Sequence, residues 1–373
     1  MIPAQLYSTV YYFIVTILTI GLSLNYANYD NSRLRSDIKR PTVGAFVVML
    51  TFALFIGFRP ISGVFIDMMN YHMFYNFRCG QPFVFDSDTD NLLFDNLLSY
   101  LAANGYDIRI FFVTIALIYF GGMFIAMRKM FPKDCLYAFV IYLGAFSTFY
   151  LGAFSTFSYG TNGIKAGAAA SMFLCTLAYM HNKKYLLLLA AITFGFHHSM
   201  VLPLGALAIS FFYRNTRVYL YVWLCCILLS ALHVTAFQEI FNSMADEQGQ
   251  NYLSQVDGEA SHGFRPDFIF YSSFPVLVGY YAMFRHNYRS KTYTTLFNTY
   301  LITNSVWMLC MYASFTNRIA YLSWQILPIV MIYPFFDKEF VNMQYRKLNI
   351  VAWWHLGFTL AMQVIYYGLI KVR

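Results

Sequence analysis

The sequence has few charged residues. Only 11% of its 373 residues are Asp, Glu, Lys or Arg, and 59% are hydrophobic. A soluble domain carries about one-quarter charged residues, so this composition argues against that class. Apolar runs of about 20 residues, long enough to cross a bilayer, recur along the whole chain. The sequence therefore predicts an all-α fold, a polytopic bundle of transmembrane helices.

Metal-binding and disulfide patterns are also lacking. The six cysteines are scattered and form no CxxC pair, so neither a disulfide framework nor a zinc site is predicted. His197 and His198 are adjacent, and neighbouring side chains on a helix point about 100° apart. No carboxylate or cysteine lies near them in the sequence. We expect no metal and no other cofactor.

The excess of basic residues does not indicate nucleic-acid binding. The net charge is +8, but most Lys and Arg residues lie in short connections between apolar runs. Such connections usually face the cytoplasm, so the basic residues set the orientation in the membrane. This distribution predicts that the N-terminus lies outside.

We predict one transmembrane domain, residues 1–373, with about 12 membrane segments. Two of them, 185–196 and 200–213, are too short to cross unassisted and form a broken or re-entrant pair that meets at His197 and His198. Broken helices are tolerated where protein or water covers the freed backbone groups. The predicted segments are 6–24, 42–58, 108–127, 135–152, 164–180, 185–196, 200–213, 217–236, 268–284, 292–312, 319–335 and 348–369.

Two predicted exported loops, 59–107 and 237–267, carry 12 of the 17 acidic residues. An acidic surface rich in aromatic and amide side chains suits sugar binding, and it equally suits a solvated cap. In the first loop, Asp67, Asn70 and Tyr71 share one face if the stretch is helical. A carboxylate beside an amide and an aromatic ring can bind a sugar hydroxyl or accept its proton. A helix cap or a surface aspartate is the alternative interpretation.

Cations stand at the predicted exported ends of several segments, against the usual charge bias. Lys165 opens a helix rich in Gly and Ala, and Arg59, Arg265 and Arg318 border other segments. A charge placed near lipid costs roughly 2.5–3.5 kcal/mol on insertion scales. Each cation alone is explained as an interfacial anchor. Together they predict an anionic partner such as a lipid-linked diphosphate, since Arg binds phosphate bidentately.

The motifs resemble those of the EpsG-like, Wzy-type polysaccharide polymerases of bacterial inner membranes. Lys165 stands where the family more often has Arg, and Ala166 where it has Gln. Asp67 follows Arg59 at a longer gap than usual. The matching motifs are Gly57-Phe58-Arg59 with Asp67 and Tyr71, Asn162-Gly163-Ile164-Lys165-Ala166-Gly167, Phe196-His197-x-Ser199, and Arg318-Ile319-Ala320-Tyr321.

The resemblance implies polymerisation of undecaprenyl-diphosphate-linked oligosaccharide units on the exported face. Arg59, Lys165, Arg318 and Arg265 would bind the diphosphate, and His197, or secondarily Asp67, would accept the proton of the acceptor hydroxyl. Membrane lipid is the expected surrounding, and binding of a chain-length regulator stays open. Candidate substrate-binding residues are Asn70, Tyr71, Asn162, Ser199 and Tyr321.

Three other functions remain open on the sequence. A ligase, or another transferase that uses lipid-linked sugars, would need the same cations. A glycolipid flippase would line its path with charge, whereas the mid-segment positions are nearly free of ionisable groups. A structural membrane protein would leave the exported cations without a partner.

Overall fold

All regular secondary structure described by the computed structural model is helical, as predicted. The structure describes residues 2–27, 42–145, 156–242, 263–313, 316–337, 340 and 344–367. These residues form two compact units. Unit 1 contains Met1–His198 and Ala352–Arg373, and unit 2 contains Ser199–Val351.

The described residues of unit 1 form nine α-helices and part of a further one. The helices are α1 (Tyr7–Ala27), α2 (Thr42–Gly57), α3 (Ile66–Arg78), α4 (Leu92–Ala103), α5 (Ile108–Met130), α6 (Cys135–Leu143), α7 (Thr156–Thr161), α8 (Ile164–Ala178) and α9 (Lys183–Phe196). A short 3-10 helix, His198–Met200, follows α9.

Unit 2 continues with α10 (Val201–Phe212), α11 (Thr216–Ala231), α12 (Ala236–Asn242), α13 (Pro266–Tyr280), α14 (Lys291–Leu309), α15 (Thr316–Trp324) and α16 (Leu327–Phe336). A π-helical turn, Tyr281–Arg285, extends α13. The last helix, α17 (Gln344–Tyr367), begins in unit 2 and ends in unit 1.

Among the described residues, three helical stretches are long and apolar enough to cross a membrane: Ala4–Ala27, Ile108–Met130 and Arg318–Phe336. The number of segments and the re-entrant pair remain predictions. Residues 59–107, predicted as the first exported loop, contain α3 and α4. Most of the second predicted loop lies outside the described residues. Shorter apolar helices are Thr42–Gly57, Leu92–Ala103, Ile164–Ala178, His198–Phe212 and Thr216–Ala231.

Small residues let α5 pack closely between α2 and α8. A Cβ on Gly57 would lie 2.9 Å from the Cα of Val113, and one on Gly122 would lie 2.8 Å from Ser171 Oγ. The Cys175 thiol donates a hydrogen bond of 3.1 Å to the Gly122 carbonyl. Close backbone approach of this kind replaces the hydrophobic driving force that helices lack in lipid.

A buried amide holds unit 2 together. Asn304 on α14 accepts a hydrogen bond of 2.8 Å from Trp223 Nε1 on α11. Its Nδ2 donates to Ser272 Oγ on α13 at 3.2 Å and to Ser323 Oγ on α15 at 2.9 Å. Asn304 therefore connects four helices through one polar side chain whose hydrogen-bonding groups are all used.

Segment ends that the sequence assigns to the exported side lie together in unit 2. The Tyr312 hydroxyl donates to the Ser230 carbonyl at 2.9 Å, which joins the ends of α14 and α11. The Arg265 N–H contacts Met311 Sδ at 3.2 Å, which adds the start of α13. The orientation of these ends in the membrane remains a prediction.

Candidate functional site

The first turn of α4 brings two predicted site residues to one aromatic ring. Phe94 is fully buried. The Tyr71 ring on α3 packs edge-on against it with centroids 5.3 Å apart. Lys165 Nζ on α8 lies 6.0 Å from the Phe94 centroid, at the limit of a cation–π contact. Three helices thus assemble a cation, a phenol and an aromatic ring at one place in unit 1.

The same turn of α4 holds the end of α9. The His198 N–H donates a long hydrogen bond of 3.4 Å to Asn91 Oδ1, and Asn91 is buried. A Cβ on Gly195 would lie 2.9 Å from Leu93 Cγ, so a larger residue at this position would force the Leu93 side chain or α9 to shift. The histidine turn, formed by His197 and His198, is therefore fixed against α4, the helix that carries Phe94.

His197 leaves the helix at this point. It follows the last residue of α9 with an extended backbone, φ −157° and ψ 122°, and its N–H donates to the Thr193 carbonyl at 3.3 Å. Its side chain is half-buried, as are those of His198 and Ser199. The imidazole of His197 therefore belongs to the break predicted between 185–196 and 200–213.

Lys165 is a half-buried cation in the first turn of α8. Within the described part of the chain its ammonium group makes no hydrogen bond or ion pair. No side chain caps this helix start, where Gly163 occupies the N-cap position. Free N–H groups give a helix N-terminus a partial positive charge, so a lysine there is unfavourable without an anion.

Arg59 joins the end of α2 to the end of α7. Its Nη1 donates to the Ile56 carbonyl and its Nη2 to the Thr161 carbonyl, both at 2.8 Å. The guanidinium carbon lies 5.0 Å from the Phe112 ring centroid and 5.5 Å from that of Phe65. These contacts form the Arg59 clamp, which holds the end of α2 against the end of α7. The clamp fixes the turn after Thr161, and Lys165 follows Thr161 by four residues.

The Arg59 charge is buried without a carboxylate. The residue is 2% exposed, and its Nε has no hydrogen-bond partner among the described residues. Burial lowers the pKa of Arg59 to about 9, which keeps it protonated at neutral pH. An unpaired buried ion costs on the order of several kcal/mol. The neighbouring Asn162 Oδ1 is also buried and unpaired in the described structure.

We expect Arg59→Met to destabilise the protein. The substitution removes both hydrogen bonds that the guanidinium group donates, to the Ile56 and Thr161 carbonyls, and a hydrogen bond from a charged group contributes about 1.5–3 kcal/mol. Thermal unfolding of the detergent-solubilised protein should show a lowered midpoint. Arg109→Met is the matched control, because Arg109 is exposed in the first turn of α5. Equal unfolding midpoints for Arg59→Met and wild type would contradict the conclusion that Arg59 stabilises the contact between α2 and α7.

Asp67, Asn70 and Tyr71 all belong to α3, so the stretch is helical and their spacing places them on one side of it. Asp67 and Tyr71 are half-buried, whereas Asn70 is exposed. Asp67 lies in the first turn of the helix, where a carboxylate is favoured by the helix dipole. That position fits the capping alternative as well as a role towards substrate.

The other two predicted cations belong to unit 2. Arg265 already pairs bidentately with Asp267, its Nε and Nη2 donating at 2.9 and 2.7 Å, and it stacks on Phe268. Arg318 is exposed in the first turn of α15, and Tyr321, three residues later, is buried. Whether these residues act together with Arg59 and Lys165 remains a prediction.

Sequence reasoning did not identify Asn91 and Phe94. Both lie in the loop expected at 59–107, among polar and acidic residues that suggest solvent. One signal was available: the run Leu92-Leu93-Phe94 and Leu97-Leu98 has helical spacing, which indicates a packed helix.

Comparison with known proteins gives one match. The EpsG family model matches residues 43–369, nearly the whole chain. Neither the curated proteins nor the solved structures contain a significant match. The matched range includes the Arg59 clamp, the first turn of α4, Lys165 and the histidine turn. The chain therefore belongs to the EpsG family, and this membership, with its apolar helices, indicates a membrane protein of the polysaccharide-polymerase type.

Proposed function

We propose that the protein polymerises polyprenyl-diphosphate-linked oligosaccharide units on the exported face of the bacterial inner membrane. The observation that carries the proposal is the pair Arg59 and Lys165. Both cations border the turn that begins at Thr161, and neither contacts a carboxylate in the described structure. A diphosphate group supplies the missing negative charge.

Glycosyl transfer from such a carrier releases a diphosphate. The acceptor hydroxyl oxygen attacks the anomeric carbon, the bond from that carbon to the diphosphate oxygen breaks, and the oxygen keeps the bonding electrons. Fixed cations stabilise this developing charge without reorganisation during the reaction. Lys165 suits this role because its ammonium group is unpaired in the described structure. Arg59 suits it because its Nε has no hydrogen-bond partner there and its position is fixed.

The proton of the acceptor hydroxyl needs a base. His197 fits this role best, because its half-buried imidazole lies in the turn that Asn91 and Gly195 hold against α4. A histidine titrates close to neutral pH, which suits general-base catalysis. Asp67 is the second candidate. We assign substrate contacts to Asn70, Tyr71, Asn162, Ser199 and Tyr321, and additional diphosphate contacts to Arg318 and Arg265.

Purified protein, incubated in vesicles with one defined polyprenyl-diphosphate-linked oligosaccharide, tests the proposal. We expect a ladder of glycolipids that differ by one repeat unit, with one polyprenyl diphosphate released for each bond formed. Mass spectrometry of the lipid extract measures both products. His197→Ala should abolish the ladder, whereas His181→Ala, at an exposed histidine between α8 and α9, should leave it unchanged.

The same reaction separates the alternatives. A ligase yields no ladder but transfers the glycan once a different acceptor is added. A flippase moves the glycolipid across the vesicle membrane without forming a new glycosidic bond. In cells, loss of a polymerase leaves one-unit glycolipid, whereas loss of a ligase leaves long lipid-linked polymer. Either alternative result would overturn the proposed function.

A further inference from the structure

One side of α3 presents an apolar surface that no other part of the described chain covers. Met69, Met73 and Phe77 recur at four-residue intervals, and Phe74 lies beside them. Met73, Phe74 and Phe77 are 62%, 60% and 71% exposed. Scattered exposed apolar residues are ordinary, but a contiguous row of large ones marks a contact surface.

Contacts on the opposite side of α3 indicate how deep this helix lies relative to the membrane. Tyr75 is buried there, and its hydroxyl donates to the Tyr106 carbonyl at 2.9 Å. The Tyr75 ring lies 6.3 Å from that of Phe111, in the first turn of the candidate span Ile108–Met130. Tyr75 on α3 therefore lies level with the start of a candidate membrane span, which is where a headgroup region would begin.

The length of α3 excludes a membrane crossing of its own. At 1.5 Å per residue, 13 residues extend over about 20 Å, against roughly 30 Å for the hydrocarbon core. A helix of this length at this depth can lie in the plane of the interface instead. The ionisable residues Asp67 and Arg78 stand at its two ends.

A second apolar segment follows α3. Gly80, with φ +75°, reverses the chain, and Phe83, Val84 and Phe85 are then exposed. The Phe83 ring packs edge-on against Tyr100 with centroids 5.4 Å apart. Tyrosine side chains are enriched in the aromatic belts of membrane interfaces.

We infer that α3 lies flat on the membrane, with Met73, Phe74 and Phe77 inserted among the lipids of the leaflet at that end of unit 1. Interfacial helices bury their apolar side about 5–10 Å into the boundary between headgroups and acyl chains. Lipid is the occupant that fits, because the row is apolar, ends in charged residues and lies at the mouth of a candidate span.

This docking has a consequence for the site that rests on the proposed function. The helix that meets the lipid also carries Tyr71 to Phe94, against which Lys165 lies. Anchoring α3 in the leaflet therefore holds Lys165 near the headgroup level, where the diphosphate of a membrane-bound carrier resides.

Site-directed spin labelling of the full chain in phosphatidylcholine vesicles tests the inference without any activity measurement. The background variant is Cys79→Ser with Cys225→Ser, since the other four cysteines are buried. Met73→Cys and Phe77→Cys receive the nitroxide, and Asp88→Cys, exposed in the acidic loop, is the matched control. Power saturation compares collisions with oxygen, which concentrates in lipid, and with a water-soluble nickel chelate.

We expect labels at positions 73 and 77 to favour oxygen over the nickel chelate by several-fold, and the label at position 88 to show the reverse. Preference for the nickel chelate at both positions 73 and 77 would overturn the inference. Spin–spin broadening at position 73, lost on dilution with unlabelled protein, would also overturn it and identify a second copy as the occupant. Because Met73 and Phe77 are exposed, the labels should leave folding unchanged, which a symmetric size-exclusion peak verifies.

Discussion

Lys165→Met should lower polymer formation about 10²–10³-fold, the typical loss when one group that stabilises developing charge is removed. Methionine keeps most of the side-chain length and apolar contact while removing the charge. The expected readout is the initial rate of ladder formation in vesicles at saturating glycolipid. Lys165→Arg should keep a measurable part of the activity, because arginine keeps the positive charge and can bind phosphate bidentately.

Folding should not account for this loss. The Lys165 ammonium makes no hydrogen bond or ion pair to the described residues, so the Met variant should unfold at the wild-type temperature or slightly above it. Lys183→Met is the matched control, because Lys183 is the first residue of α9 and is exposed. Normal polymer yield from Lys165→Met would remove Lys165 from the proposed site.

Gly167→Ala should disrupt both the fold and the activity. An added Cβ would lie 2.3 Å from the Tyr159 carbonyl oxygen and 3.0 Å from the Tyr159 carbonyl carbon. These are backbone atoms, so no side-chain rotation relieves the overlap, and α7 must move away from α8. Overpacking of this kind costs typically about 1–3 kcal/mol. Since Thr161 ends α7, the Arg59 clamp would shift with it, and polymer formation should fall sharply.

Gly121→Ala is the control for this substitution. Gly121 also lies within a helix, α5, but nothing stands within 4 Å of the position that its Cβ would take. Alanine there should raise the free energy of unfolding by about 0.5–1 kcal/mol. Thermal unfolding midpoints and polymer yields of both variants check the pair. Wild-type behaviour of Gly167→Ala would contradict the close contact between α7 and α8.

The sequence predicted the helical fold because helices depend on local pattern, and the same kind of pattern suggested the candidate site residues. Apolar runs mark helices, and Lys165 is conspicuous as a charge in a helix of small residues. The bidentate contact between Arg265 and Asp267 was also predictable from the sequence, since only one residue separates them. The spacing alone did not show that Asp267 already binds the guanidinium group of Arg265.

Contacts between distant residues account for what the sequence did not predict. Arg59 donates to a carbonyl 102 residues away, so its role as a clamp between α2 and α7 has no local signature. Asn91 accepts from a backbone N–H 107 residues away. The acidic residues around the start of α4 suggested solvent, whereas tertiary packing buries Asn91 and Phe94 there.

The buried charge of Arg59 also affects the stability of the protein. A buried cation without a carboxylate makes the empty protein less stable than the occupied one, since a ligand that binds only the folded state stabilises it by mass action. If the proposed function holds, the cellular lifetime of this protein follows the supply of its carrier. Molecules that lack a glycolipid would then be the first to reach the quality-control proteases.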